Sequence, residues 1–383
     1  MAYTDFIAAI DLGTSHMVGM VGTKNATGAL SIIAYEVENS GTCIRRGCVY
    51  NVKETASKIK RLILKLENKL GGTKIGQVYV GLGGQSLRSI EHTVCKVLGT
   101  EGVVTEEIID SLYQECKDYR PDMLTVLDVV SPSYFLDDKP ESNPVGVPCS
   151  RIEARYKLIV GRPSLKLNIV NSISEQAKIE IAGILVSPLA LGDVVLSDNE
   201  KDLGCALIGF GAGVTTISVY KGGKLASLSV VPFGGNLITK DITNLRVVES
   251  EAERLKITYG SAKADRDNDM TIQVSLADGM GLREIKLAEL NGVIEARMDE
   301  ILENVYARLE ATGLMSVLGA GIVITGGGAA LKNLPAVMSE RLKMEVRYSA
   351  VRKGVVASGD LVVASNPEYA AVSYTHLRAH ETC

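Results

Sequence analysis

The sequence predicts an α/β fold with mixed sheets, arranged as two similar halves, with a small α+β unit inserted in the first. Three observations carry this reading. Apolar strands alternate with helical stretches along the 383 residues. Two strand ends share one plan: an apolar strand, a tip of small and hydroxyl-bearing residues, and a return strand. In the first, Phe6–Ile10 leads through Asp11, Leu12, Gly13, Thr14 and Ser15 to His16–Thr23; in the second, Cys205–Ile208 leads through Gly209–Thr216 to Ile217–Tyr220. A third glycine-rich strand end, Gly321–Thr325 followed by Gly326, Gly327 and Gly328, runs toward a helix expected from about Leu331.

The remaining elements follow in chain order. Asn51 is an N-cap with Glu54 in capping-box spacing, and Val52, Ala56, Ile59, Ile63, Leu66 and Leu70 repeat at helical intervals until Gly71-Gly72 stops them. From about Ser86 to Arg162 the alternation breaks. The chain there reads strand, helix (Thr105–Asp118), strand, a Pro/Asp/Gly-rich loop (Asp137–Pro148) and a strand (Ala154–Val160), which is the inserted unit. A long helix is expected from about Gly292 to Thr312, with Ile294, Met298, Ile301, Val305 and Leu309 on one stripe and Gly313 ending it.

Composition excludes several function classes. With 41 Lys+Arg against 45 Asp+Glu the formal charge is −4, the wrong balance for a polybasic nucleic-acid binder. Apolar residues make up 46%, enough to bury a core, so a disordered chain is excluded. Trp is absent and aromatics are 5%, which removes base-stacking platforms. The seven cysteines include no CxxC pair, so a zinc site is not expected. The uncharged stretch Leu203–Tyr220 carries four glycines and reads as a buried strand–turn–strand, not a membrane span. The N-terminal residues read as a first strand and not as a signal peptide, so the chain is expected to be cytoplasmic.

The chemistry resides in the turns. Tips of Gly, Thr and Ser present backbone N–H groups and hydroxyls at close range, which suits phosphate oxygens. Asp11 is placed to hold Mg²⁺ through water, and Gly326–Gly328 allows an adenosine to lie against the backbone. Together, in this order, the three turns favour one nucleotide held between two halves.

The order of these motifs resembles the actin, Hsp70 and sugar-kinase superfamily. Within it, IDLGTSHM, VYVGLGGQSLRSIEHTV, SPSYFLDDKPESNPVGVPCSRIEARYKLIVG, SEAERLKITYGSA and GIVITGGGAALKNLP look like the FtsA family of bacterial cell-division proteins, over roughly Phe6 to Val372. The resemblance implies an actin-like (ribonuclease H-like) duplicated fold. Its subdomains would be 1A (1–85, with a return helix near 366–373), an inserted 1C (86–165), 2A (166–239 and 313–365) and 2B (240–312). It implies ATP or ADP with Mg²⁺ in the cleft. Asp11, Gly13, Thr14 and Ser15 would meet the phosphates, Gly211, Ala212 and Gly213 would form the second phosphate turn, Glu253 and Lys256 would approach ribose or adenine, and Gly326, Gly327 and Gly328 would line the adenosine pocket. It also implies filaments, other division partners through 1C, and a link between the FtsZ C-terminal tail and the inner membrane at the division site. Arg297, beside the apolar stripe of the long helix, is the expected tail contact. Its alternative is local pairing with Glu300.

Two departures qualify the resemblance. Gly209 stands where the second turn usually begins with aspartate, Thr216 replaces a second acidic residue often seen later in that turn, and Ser187 stands where some members carry Glu or Gln, so ATP binding with little hydrolysis is expected and no catalytic residue is assigned. A small-molecule kinase or ATPase, or a type IV pilus assembly ATP-binder, is the alternative function. Residues 374–383 read as a non-native tail without the amphipathic helix by which family members hold the membrane, and no membrane binding is expected of the chain as written. His376 and His380, at i and i+4 in this tail, lack a third metal ligand.

Overall fold

The structure, a computed structural model, describes residues 6–24, 30–99, 102–275, 281–350 and 355–357. The return helix expected near 366–373 and the tail 374–383 lie outside the described residues. The first half begins with β1 (Phe6–Leu12), β2 (His16–Lys24), β3 (Leu30–Asn39), β4 (Ile44–Arg45), β5 (Cys48–Val49), α1 (Val52–Lys69) and β6 (Gln77–Leu82). Next come β7 (Arg88–Val97), α2 (Glu106–Asp118), β8 (Thr125–Leu136), β9 (Lys139–Glu141) and β10 (Arg151–Gly161). Then α3 (Ser164–Val170) and a π-helical stretch (Asn171–Ala177) lead to β11 (Glu180–Val186), α4 (Ser187–Val195) and α5 (Asp198–Leu203). The second half holds β12 (Cys205–Phe210), β13 (Thr215–Lys221), β14 (Lys224–Val231), α6 (Gly235–Ile242), α7 (Glu249–Tyr259), β15 (Thr271–Ser275) and β16 (Leu282–Lys286). It closes with α8 (Leu287–Glu310), β17 (Ile322–Thr325), α9 (Leu334–Leu342), β18 (Val346–Tyr348) and β19 (Val355–Ala357).

The duplication is visible in strand order. Among the described residues the first large sheet runs β11-β6-β1-β2-β3-β19 and the second β14-β13-β12-β17-β18. In each, two hairpins give three antiparallel strands, and two further strands lie parallel beside the first, in the order 3-2-1-4-5. Register makes the halves comparable residue by residue. Asp11 pairs with Val18 and Leu12 with Met17; Gly209 pairs with Thr216 and Phe210 with Thr215. Gly209 therefore occupies in the second half the position Asp11 occupies in the first.

Both faces of β12 are buried, so its residues sort by period two. Cys205 and Leu207 join one core with Ile10, Leu12, Leu62 and Val80 of the first half. Ala206, Ile208 and Phe210 join the other with Ile238, Ile242 and the α8 stripe. That stripe is Leu290, Ile294, Met298, Ile301, Leu302, Val305 and Leu309, all buried, and α8 begins at Leu287, five residues earlier than its pattern indicated. Asn51 caps α1 by accepting from the Glu54 N–H at 3.1 Å. Residues 88–161 form their own sheet, β7-β10-β8-β9, with a core around Leu112, Ile152, Ala154, Tyr156 and Leu158. The expected loop 137–148 is partly ordered as β9. Asp137, whose carboxylate accepts from the N–H groups of Ser150 (3.1 Å) and Arg151 (2.9 Å), fixes its start. The helix expected from Leu331 begins instead at Leu334, because Gly327–Ala330 is a 3₁₀ turn.

An acid-sensitive clasp ties α5 to the far edge of the second sheet. Ser197 and Glu200 form a capping box, and the same Glu200 carboxylate accepts from Arg347 Nε (3.0 Å) and Nη2 (2.5 Å) on β18. Burial opposes ionisation of Glu200, yet the Ser197 hydrogen bonds and the Arg347 guanidinium hold it below the usual carboxylate range. A depressed pKa contributes stability above the unfolded value, about 4.3 for Glu, that is lost as pH falls through the folded one. Glu200→Gln is expected to lower Tm at pH 7, with the gap to the parent closing below about pH 4. A gap constant from pH 7 to 3 in thermal melts contradicts this.

Candidate functional site

The site lies at the carboxyl ends of β1, β6, β12 and β17, the edge on which parallel α/β sheets bind ligands. Its two hairpin tips are built alike. A Cβ on Gly13 would lie 2.6 Å from His16 O, and one on Gly211 would lie 2.9 Å from Val214 O, so each tip needs glycine at the same point of the turn. Asp11 projects beneath its tip, with Oδ2 3.6 Å from that Gly13 position. Buried Ser40 fastens the tip from behind, donating through Oγ to Gly13 O at 2.7 Å and through its N–H to Ser15 O at 2.9 Å.

The two tips meet. A Cβ on Gly213 would fall 2.6 Å from Thr14 Oγ1 and 2.8 Å from Thr14 Cγ2. The second tip is also braced by the start of α6: Gly235 N–H donates to Gly211 O (3.0 Å) and Asn236 N–H to Ala212 O (2.8 Å). Lys256 of α7 sits at this junction, donating from Nζ to Gly235 O (3.1 Å), Thr239 Oγ1 (2.8 Å) and Glu253 Oε2 (2.7 Å). Its side chain is only 14% exposed, so Lys256 does not lie on a solvated helix face.

The third turn joins from the other side of β12. Gly326 and Gly328 pack on Phe210, whereas a Cβ on Gly327 would meet nothing within 4 Å. Gly209 has a partner too. A Cβ there would lie 2.6 Å from Thr216 Oγ1, so the threonine hydroxyl fills the space into which an aspartate would grow. The two changes noted in the sequence at positions 209 and 216 are thus one local exchange.

A short hairpin of the first half, β4–β5, inserts its tip between the others. Gly47 N–H donates to Thr14 Oγ1 at 2.9 Å, and Arg46 Cα is 3.0 Å from the position of a Gly213 Cβ. Arg46 (φ 50°) and Gly47 (φ 71°) form the two-residue turn of the type that needs positive φ at both positions. Below it, burial pushes the Cys48 thiol up despite a hydrogen bond from the Gln85 backbone and the charge of Arg162, which leaves it a neutral packing group.

Arg297 stands apart from this constellation. Its Nη2 donates to Asp241 Oδ1 at 3.2 Å, its Nε also bonds Asp241, and Nη1 bonds Glu300. The local pairing weighed as the alternative is present, and Asp241 of α6 adds to it. Sequence reading placed the three turns but missed Ser40, Gly234-Gly235 and the Arg46-Gly47 tip. The signal it passed over was RRG between two short apolar pairs, a positive-φ turn with an unusual residue in it.

A family model described as "Cell division protein FtsA" matches residues 206–373. The "Cell division protein FtsA" of Porphyromonas gingivalis is 41% identical over 337 residues, covering 88% of this chain and 70% of that protein. The chain belongs to the FtsA family. It is accordingly a cell-division protein, and its actin-like fold has solved counterparts. A chain of the "PilM-PilN type IV pilus biogenesis complex" superposes with a TM-score of 0.68 at 15% identity, covering 97% of this chain and 98% of that one. MreB5 of Spiroplasma citri bound to ADP superposes at 0.57 with 14% identity, covering 99% and 97%. At such identities the likeness is one of fold, and it is the sequence relationship that places this FtsA-family chain in cell division.

Proposed function

We propose that this chain binds ATP, or ADP, between its two halves, assembles into filaments and, where an amphipathic helix supplies the membrane contact, links FtsZ to the inner membrane at the cytoplasmic face of the division site. The observation that carries the nucleotide reading is the meeting of two equivalently built hairpin tips, Thr14 against Gly213, at the carboxyl ends of two like sheets. MreB5, which shares the fold, was solved with ADP. Asp11, Gly13, Thr14, Ser15 and Gly211–Gly213 would face the phosphates. Gly327, with open space over it, and Lys256 with Glu253 would border the nucleoside.

Magnesium fits this donor set only as a partner of the nucleotide. Among the described residues no group of three or more His, Cys, Asp or Glu could cage a metal. The single Asp11 carboxylate suits an ion that keeps most of its water. Bound there, Mg²⁺ would neutralise phosphate charge. The residues themselves hold the tips, exclude side chains from the anion, and offer N–H and hydroxyl donors.

Hydrolysis is expected to be slow, because Gly209 and Thr216 put no carboxylate where the second half would orient water. Titration calorimetry with ATP and Mg²⁺ should detect binding, while turnover should stay below about 1 s⁻¹, the low end for ordinary enzymes. No binding overturns the nucleotide reading. Faster turnover, or phosphate transfer to an acceptor, favours the kinase alternative. The FtsZ tail is proposed to dock on residues 240–312. If Arg297 receives it, a tail carboxylate must compete with Asp241 and Glu300, and a pull-down with the tail peptide tests the docking.

A further inference from the structure

The tip of the β4–β5 hairpin has no role in the reading above, although it touches both phosphate turns. We propose that Arg46 is the cation of the nucleotide site, its guanidinium donating to a phosphate oxygen of the bound nucleotide. This rests on the nucleotide reading and adds a residue to it.

The backbone conformation at Arg46 supports this assignment. Among the described residues the chain builds two other two-residue hairpin turns with positive φ at both positions, and it builds them from Gly222-Gly223 and Asp137-Asp138. Glycine and aspartate adopt that region more readily than arginine, which among the described residues takes it elsewhere only at Arg246, the cap of a 3₁₀ turn. A strained residue that persists where an easy one would serve points to a use for its side chain.

The position of Arg46 supports it too. Arg46 stands where three tips converge: its Cα is against Gly213, and the next residue's N–H is on Thr14. Its Nη1 donates to Gln85 Oε1 at 3.1 Å, and Gln85 N–H returns a bond to Arg46 O at 3.1 Å. Gln85 lies three residues beyond the end of β6, so this pairing holds the arginine at the carboxyl edge of the first sheet, beside the first tip.

The charge of Arg46 is also available. Among the described residues no carboxylate forms an ion pair with Arg46, whereas Arg297 holds two. Gln85 is neutral and takes one N–H of a guanidinium that carries five. An exposed cation steadied by an amide keeps its charge for an outside anion, and its planar fork matches phosphate geometry.

The test compares Arg46→Gly, which suits the turn and removes the cation, with Arg46→Lys, which keeps the charge. ATP and adenosine are titrated calorimetrically into each, and Tm is recorded. Arg46→Gly should bind ATP at least about tenfold more weakly, with adenosine affinity and Tm no lower than the parent's, and Arg46→Lys should recover part of the ATP loss. ATP affinity unchanged in Arg46→Gly, while the parent binds ATP, overturns the proposal and leaves the nucleotide reading standing. Equal losses for ATP and adenosine overturn it as well, since the hairpin then acts only as a prop. A parent that binds no ATP removes both readings together.

Discussion

Gly326→Ala is expected to destabilise the protein by about 3–5 kcal/mol, among the largest effects a single methyl can have here. The glycine sits at φ 85° and ψ 164°, a region essentially closed to residues with a Cβ. The added carbon would lie 2.6 Å from Phe210 O, 3.0 Å from Phe210 C and 3.2 Å from Phe210 N. Those are backbone atoms of β12, which is hydrogen-bonded to β13 on one side and β17 on the other and cannot step aside. Gly327→Ala is the control, because its Cβ meets nothing and should cost no more than about 0.5 kcal/mol. Urea unfolding of the two variants reads the difference directly. Similar midpoints would mean that the strand pair relaxes and that the glycine is not required by packing.

The same position illustrates what was legible in the sequence. The run Gly326–Gly328 stood out as a strand end suited to close approach. What approaches two of its three glycines is Phe210, across the sheet and more than a hundred residues earlier in the chain. Local pattern announces that backbone must come close; it does not say to what. The same limit applies to Gly234-Gly235, which carried no assignment from sequence. Its close approach to the carbonyls of Gly211 and Ala212, which accept from the N–H groups of Gly235 and Asn236 at the start of α6, exists only once β12 and α6 are side by side.

Periodicity fared differently because it reports burial directly. The residues read for the α8 stripe and the α1 face do lie in the two cores, with Leu62 of α1 and Leu290 and Leu302 of α8 passed over, and α8 starts five residues before its pattern, at Leu287. Ser40 was invisible for the opposite reason. A lone serine after a strand carries no pattern, yet its hydroxyl and N–H together hold the first tip. Arg297 was legible as a charge beside a stripe, but Asp241, which engages it, lies 56 residues away on another helix. Charge position was readable and charge partnership was not.

Gly213→Ala is expected to weaken ATP binding by about tenfold or more and to cost about 1–3 kcal/mol of stability, because it places a methyl group in the joint between the halves. The new carbon would sit 2.6 and 2.8 Å from the Thr14 side chain and 3.0 Å from Arg46 Cα. Thr14 cannot simply rotate away, since its Oγ1 accepts the Gly47 N–H at 2.9 Å and its β-branch leaves few rotamers. The methyl must therefore push the first tip and the β4–β5 tip off the second. A double variant separates this wedge from a general loss of fold. Thr14→Ala alone removes the acceptor for Gly47, a cost near 1 kcal/mol, but in the Gly213→Ala background it also vacates the space the new methyl needs. Stability of the double variant should exceed the sum expected from the two single changes, the signature of residues in contact. Strict additivity in urea unfolding, together with parental ATP affinity in Gly213→Ala, would place the nucleotide away from the point where the two tips meet.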